Sequence, residues 1–199
     1  MRKNILLCGV GGQGTVLASK LLAAAAMERG LPVMSAETIG MAQKGGSVFS
    51  HLRMGEGIET PMLSRGSADL IIAFEPAEAV RMLPYLAPDG CVVVSQTPVI
   101  PVTAVLKKSS YDGSEMVAYL RQQVGNLVVI DGEAACREVG SPRALNMVLL
   151  GAALESGALP FSTDEIKQVM QKRVKPQFYE INCRALDYAA QLRKEGNES

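Results

Sequence analysis

Residues 8–22, CGVGGQGTVLASKLL, constrain the fold more than any other stretch of the chain. The apolar run NILLCG (4–9) leads into it, and QGTVLASKLLAAAAMERG (13–30), a helical pattern closed by Gly30, leads out. Gly9, Gly11 and Gly14 fit G-x-G-x-x-G, with Gly12 in addition. In a strand-to-helix context such glycines give a tight turn, close backbone approach and N–H groups aimed at an anion at the helix N-terminus. Three readings of the turn stay open on these residues: close packing of strand on helix, an anion or phosphate contact, or a contact with another subunit.

Short apolar runs alternate with helical patterns along the rest of the chain. Strands are expected at 31–37, 47–54, 68–74, 90–95 and 126–131. In 47–54, Val48, Leu52 and Met54 share one face, and Phe49, His51 and Arg53 the other. The GEG at 55–57 reads as a turn with a short return strand after it. Helices are expected from Pro76 to about Leu86 and over 141–157, the latter with Ser141 as N-cap and Pro142 at the first helical position. STDE (162–165) matches a capping box. A last helix from about Pro176 carries the stripe Phe178, Ile181, Ala185, Ala189 and Leu192, with a frayed tail over 194–199. The pattern predicts an α/β fold: three layers, α/β/α, around a mostly parallel Rossmann-like sheet, with a β-hairpin insertion after the second strand and helices at the C-terminal end. One domain is expected over 1–199, with an α/β core to about 140 and a helical part over 141–195. Residues 95–110, with two prolines, read as an extended excursion.

In an open parallel sheet, ligands sit beyond the carboxyl ends of the strands. Gln13, Glu37, Glu75, Ser95, Gln96, Asp131 and Glu133 fall there, joined by Gln43, Lys44 and Ser47 of a second glycine turn, AQKGGSVFS. Glu37 stands about where a dinucleotide fold places its ribose-binding carboxylate. Against NAD, only residues 38–46 separate Glu37 from the next strand, too few for a crossover helix. A P-loop fails because Thr15 stands where its lysine belongs. His51, the only histidine, reads either as a general base or as a buried or interface residue. Arg53 reads as an anion contact or a surface ion pair, and Asp131 as a helix cap.

Cys8, Cys91, Cys136 and Cys183 are scattered without a C-x-x-C, so the chain has ligand spacing for neither an iron–sulfur cluster nor a structural zinc. Unpaired thiols point to a reducing cytoplasm. Lys+Arg and Asp+Glu number 20 each. That balance gives no electrostatic case for nucleic acid or an anionic membrane, and no apolar stretch is long enough to span a bilayer.

GVGGQGTVLASKLLAAAA, followed by AETIGMAQKGGSVFSHLRMG, resembles the gamma-type subunit or domain of 2-oxoacid:ferredoxin oxidoreductases, the indolepyruvate type above all. The likeness runs through SPRALNMVLLGAAL, with Asn146, to INCRALDYAA near the end. One departure is Lys44, where many relatives are expected to carry arginine; the charge is kept and the bidentate geometry lost. The resemblance implies an accessory subunit, inactive alone, of an enzyme that oxidatively decarboxylates a 2-oxoacid such as indolepyruvate, forms acyl-coenzyme A and reduces ferredoxin. It implies no cofactor on this chain alone. Thiamine diphosphate and iron–sulfur clusters belong to a large partner subunit, through which ferredoxin is reached; the isolated chain could form a homodimer. The loop Gly9, Gly11, Gly12, Gln13 and Gly14 and the loop Gln43, Lys44, Gly45, Gly46 and Ser47 would meet the partner's thiamine site, coenzyme A phosphates or the partner protein. No catalytic residue is assigned, and Glu37, His51 and Arg53 are secondary candidates.

Two other readings rest on the residues themselves. One is a stand-alone NAD(P)-binding oxidoreductase or regulatory nucleotide-binding module. The other is a scaffold module that docks through the amphipathic C-terminal helix.

Overall fold

The computed structural model describes residues 2–40, 45–100 and 111–197. Six strands are assigned: β1 (Lys3–Val10), β2 (Val33–Ile39), β3 (Ser47–Met54), β4 (Ala68–Ala73), β5 (Leu86–Ser95) and β6 (Asn126–Ile130). The helices are α1 (Thr15–Glu28), α2 (Pro76–Met82), α3 (Ser114–Gln123), α4 (Gly132–Val139), α5 (Leu145–Glu155), α6 (Thr163–Arg173) and α7 (Pro176–Asn197). The sheet order is β2-β3-β1-β4-β5-β6. β1, β4, β5 and β6 run parallel, and β3 lies antiparallel between β2 and β1. The sheet is therefore mostly parallel, as the alternation of elements predicts.

The two sheet faces carry separate cores. Ile5 and Leu7 of β1 face α1, α5, α6 and α7; Leu6 and Cys8 face α2 and α3. All four side chains are fully buried. This is why β1 reads as a continuous apolar run rather than an alternating one. Burying each is worth roughly 1.5–3 kcal/mol at most. The larger core joins Ile5 at one end of the sequence to Ala189 at the other, so the 141–195 region packs on the same sheet as the rest.

α1 ends in a Schellman motif. Gly30 takes φ 72°, its N–H donates to the Met27 carbonyl, and the Leu31 N–H reaches back to Ala26. α1 is apolar on nearly every side and mostly buried, with Leu17 and Met27 left exposed. In α5, a Cβ at Gly151 would lie 2.0 Å from the Leu186 carbonyl oxygen. The α5–α7 crossing therefore depends on a residue without a side chain.

The expected hairpin is made by β2 and β3 themselves. The short return strand after Gly57 is not found, and residues 55–67 carry no strand. β3 already has a full-length neighbour on each side, so no edge was free for it. α5 also starts later than expected. Gly140 (φ 83°) closes α4, and the Ser141 N–H is spent on the Cys136 carbonyl. Ser141–Ala144 then form a turn, so Ser141 belongs to the end of α4 rather than capping α5. The other caps stand as expected: Asp131 Oδ1 accepts the Ala134 N–H, and Ser162 and Glu165 form a complete capping box. α7 buries Ala185, Leu186, Tyr188 and Ala189, while Phe178 of the expected stripe is exposed. Most of the 95–110 excursion lies outside what is described, as do the side chain of Leu192 and those of the 194–199 tail. Among the described residues, no helix is long and apolar enough to cross a membrane.

Candidate functional site

Sheet register brings the two glycine turns to one edge. Val10 ends β1 opposite Ser47, Gly9 lies level with Val48 and Ile39, and Cys8 lies level with Ala73 at the end of β4. The turns are joined directly, since the Gly11 N–H donates to the Gly46 carbonyl at 2.8 Å. Gly9 is pressed against the end of β4, where an added Cβ would meet Phe74 Cβ at 2.8 Å. Gly14 (φ 86°) leaves only 2.6 Å between an added Cβ and Asn146 Nδ2, at the start of α5. Gly12 (φ 103°) and Gly45 (φ 76°) face open space and are required for backbone conformation alone. Gln43 and Lys44 lie outside the described residues.

Gln13 is spent inside the turn. Its Oε1 accepts the Val10 N–H and its Nε2 donates to the Phe74 carbonyl, both at 2.8 Å. It braces β1 against β4 and leaves the ligand side to backbone groups. Between the turn and β3 lies a hollow of about 370 Å³, bounded by Gly11, Gly12, Gly14, Thr15, Val16 and Val48. α1 begins at this hollow with no side-chain cap, so its first N–H groups lack acceptors within the helix and its positive end is open. Thr15 is buried, and its Oγ1 has no hydrogen-bond partner among the described residues.

The end of β4 adds a buried carboxylate pair. Glu75 is 2 % exposed and Glu78 4 %. Glu75 caps α2 by accepting the Glu78 N–H at 3.0 Å, and it takes the Tyr111 hydroxyl at 2.5 Å. Glu78 accepts the Ser47 hydroxyl at 2.5 Å and pairs with Arg81 at 3.2 Å. Burial, then the hydrogen bond to Glu75, pushes the Tyr111 phenol well above its ordinary range. Burial, then the charges of Glu78 and Glu75, does the same to the Cys8 thiol, which is unsuited to act as a nucleophile.

The secondary candidates stand elsewhere. Glu37 is exposed on β2 opposite Ser50, with β3 between it and β1. That is two strand spacings, about 9–10 Å, from the strand that carries the glycine turn. A dinucleotide fold instead sets its second strand beside its first. His51 is fully buried in mid-sheet, where its Nδ1 accepts the Leu63 N–H at 3.2 Å. The rings of Phe49 and Tyr85 stand edge-on to it, and burial pulls its pKa down. Arg53 is at the opposite end of β1, donating to Asn4 Oδ1 at 3.1 Å and the Thr60 carbonyl at 2.9 Å. Both residues hold the 55–67 loop and lie away from the glycine edge.

Further along the rim, Ser95 accepts the Thr97 N–H, and Thr97 caps the Glu133 N–H. Glu78, Tyr111 and Thr15 complete the edge and were not singled out from sequence as site residues. EPAE at 75–78 carried a readable signal, a Pro at the first helical position with Glu two residues on. Tyr111 carried none. Among the described residues no cluster of three or more His, Cys, Asp or Glu could hold a metal ion.

Comparison with known proteins gives a consistent answer. The family described as pyruvate ferredoxin/flavodoxin oxidoreductase matches residues 4–192. Indolepyruvate oxidoreductase subunit IorB of Archaeoglobus fulgidus is 34% identical over 187 residues, 94% of this chain and 92% of that protein. IorB of Pyrococcus horikoshii is also 34% identical, over 96% of each chain. Among solved structures, the gamma subunit of a keto/oxoacid ferredoxin oxidoreductase from Geobacter sulfurreducens superposes with TM-score 0.66 at 22% identity, over 95% of this chain and 94% of that one. A longer 2-oxoglutarate:ferredoxin oxidoreductase chain from Magnetococcus marinus, solved with 2-oxoglutarate, coenzyme A and succinyl-CoA bound, gives TM-score 0.71 at 21% identity; the match covers 98% of this chain and 31% of that one. The structural likenesses establish the shared fold, and with 34% identity spanning nearly the whole length, the chain belongs to the pyruvate ferredoxin/flavodoxin oxidoreductase family.

Proposed function

We propose that this chain is the accessory subunit of a cytoplasmic 2-oxoacid:ferredoxin oxidoreductase acting on indolepyruvate or a similar aryl 2-oxoacid. Thiamine diphosphate, the iron–sulfur clusters and the ferredoxin contact belong to a large partner subunit. The glycine edge takes the phosphates of coenzyme A, whose thiol accepts the acyl group. The observation that carries this reading is the hollow at the start of α1: an uncapped helix end, a wall formed by Gly11, Gly12 and Gly14, and the buried Thr15 Oγ1, unpartnered among the described residues. Those features suit an anion presented end-on to backbone N–H groups. Here the chain's own residues bind and orient, and no proton transfer is assigned to any of them.

The test is reconstitution. The large subunit co-purified with this chain is expected to show oxoacid-dependent, coenzyme A-dependent reduction of ferredoxin, and the large subunit alone to show none. Calorimetry on the complex should detect coenzyme A and be silent to NAD and NADP at millimolar concentration. Equal turnover without this chain would end the proposal, and binding of NAD(P) in place of coenzyme A would replace it with the nucleotide reading.

A further inference from the structure

Glu75 and Glu78 are an unusual way to start a helix. A cap needs one short acceptor, and serine, threonine or aspartate supplies it. Two buried carboxylates with one half-exposed arginine beside them are costly to desolvate. That cost is tolerable only when their oxygens find donors. In the capping box of α6, the third-position Glu165 turns back and accepts the Ser162 N–H at 2.8 Å. In α2, Glu78 holds the same position but turns outward to Ser47, 31 residues away in sequence. Glu75 likewise sends its second oxygen to Tyr111, 36 residues away. A shorter acidic side chain would not span these gaps.

The bonds form a continuous path. Tyr111 is fixed to Glu75, Glu75 to the backbone of Glu78, and Glu78 to Ser47. Ser47 lies between Gly46, which accepts the Gly11 N–H, and Val48, a wall of the hollow. The N-terminus of α2 thus braces the second glycine turn, which the Gly11–Gly46 bond and the β1–β3 register tie to the first. From this we infer that Glu78, supported by Glu75, is a positioning residue: it clamps the second glycine turn and the segment starting at Tyr111 so that the hollow keeps its width. The inference rests on the functional reading above for its ligand, but the clamp itself can be measured without one.

Two readouts separate the inference from that reading. In the assembled complex without coenzyme A, Glu78→Gln and Glu78→Asp should speed amide hydrogen exchange at 45–48, and Glu75→Gln at 111–114; none should change it at α6. Glu78→Asp keeps the charge but loses reach, so it should behave like Glu78→Gln. In turnover, Glu78→Gln should raise the KM for coenzyme A about tenfold, with the change in KM rather than kcat and the oxoacid KM unmoved. Ser47→Ala should do the same, and the double variant should be no worse than either single one. Glu165→Gln, at the self-closed cap, should lower thermal stability and leave the coenzyme A KM alone. Unchanged exchange at 45–48 in both Glu78 variants overturns the clamp, whatever coenzyme A does. Faster exchange with an unmoved coenzyme A KM would keep the clamp and remove its ligand from the glycine edge.

Discussion

The two ends of β1 and β3 are built from similar materials and do opposite things with them. At the amino end of β1, polar groups form a closed set. Asn4 takes Arg53, donates to the Ser67 carbonyl, and its backbone N–H meets Asp69. Arg53 goes on to the Thr60 carbonyl. At the carboxyl end, Gln13 and Glu78 are satisfied, while Thr15 Oγ1 and the first turn of α1 find no side-chain partner among the described residues. A closed set holds a loop, and an open set is available to a ligand. The distinction lies in whether the donors and acceptors are used up, because polar residue types are plentiful at both ends.

The comparison can be broken most severely at the closed end. Arg53→Ala strips three acceptors, Asn4 Oδ1 and the Thr60 and Met62 carbonyls, of their buried donor and is expected to cost about 2–3 kcal/mol of stability. Urea denaturation would show it, with coenzyme A affinity in the complex unchanged. A shift in affinity at full stability would mean that the two ends are not separate. Next, Gly14→Ala combines a left-handed backbone with the collision at Asn146. About 1–2 kcal/mol of stability should go, together with a clear loss of coenzyme A affinity measured by calorimetry. Thr15→Val sharpens the contrast, since no hydrogen bond is lost in the free chain. A melting curve should show the variant as stable as the parent or up to about 1 kcal/mol better. Its coenzyme A affinity should nevertheless fall several-fold; equal affinity would show that the hydroxyl is only an orphan.

The smallest effect concerns pH. Burial lowers the pKa of His51 from 6.5, so the unfolded chain takes up a proton that the folded one refuses. Stability should hold above about pH 6.5 and decline below it, and His51→Phe should flatten the decline when denaturation is followed from pH 8 to 5. Glu165 answers in a separate, more acidic window. The Arg29 fork, then the Ser162 N–H, hold its pKa down from 4.5 to about 2. Its contribution is therefore present above its ordinary pKa and fades as pH falls toward 2.

Legibility in the sequence followed the range of the interactions. The β1 turn into α1, the buried parallel strands and the Ser162–Glu165 box are written within a few residues of one another, and each reads correctly. α3 leaves no period in the sequence, because only Val117 and Leu120 of its ten residues are buried. Ser141 looked like a cap until α4, a helix of eight residues, claimed its N–H. His51 is buried, one of the two readings its residue type allows, but Arg53 is neither an anion contact nor a surface ion pair: the 55–67 loop folds across it, an event with no local trace. The same holds for the clamp. Glu78 and Ser47 meet only because antiparallel β3 is inserted beside β1, and sheet order cannot be read from either segment alone.

The crossing at Gly151 also says something about the order in which the molecule can be made. One wall of the main core comes from residues 5–26 and another from residues 185–189. While a ribosome is still translating α7, the side of α5 that meets it has no cover, and Gly151 admits no substitute that carries a side chain against it. The core can therefore close only once α7 has been made, and a partner that grips the finished surface can recognise it only from that point on.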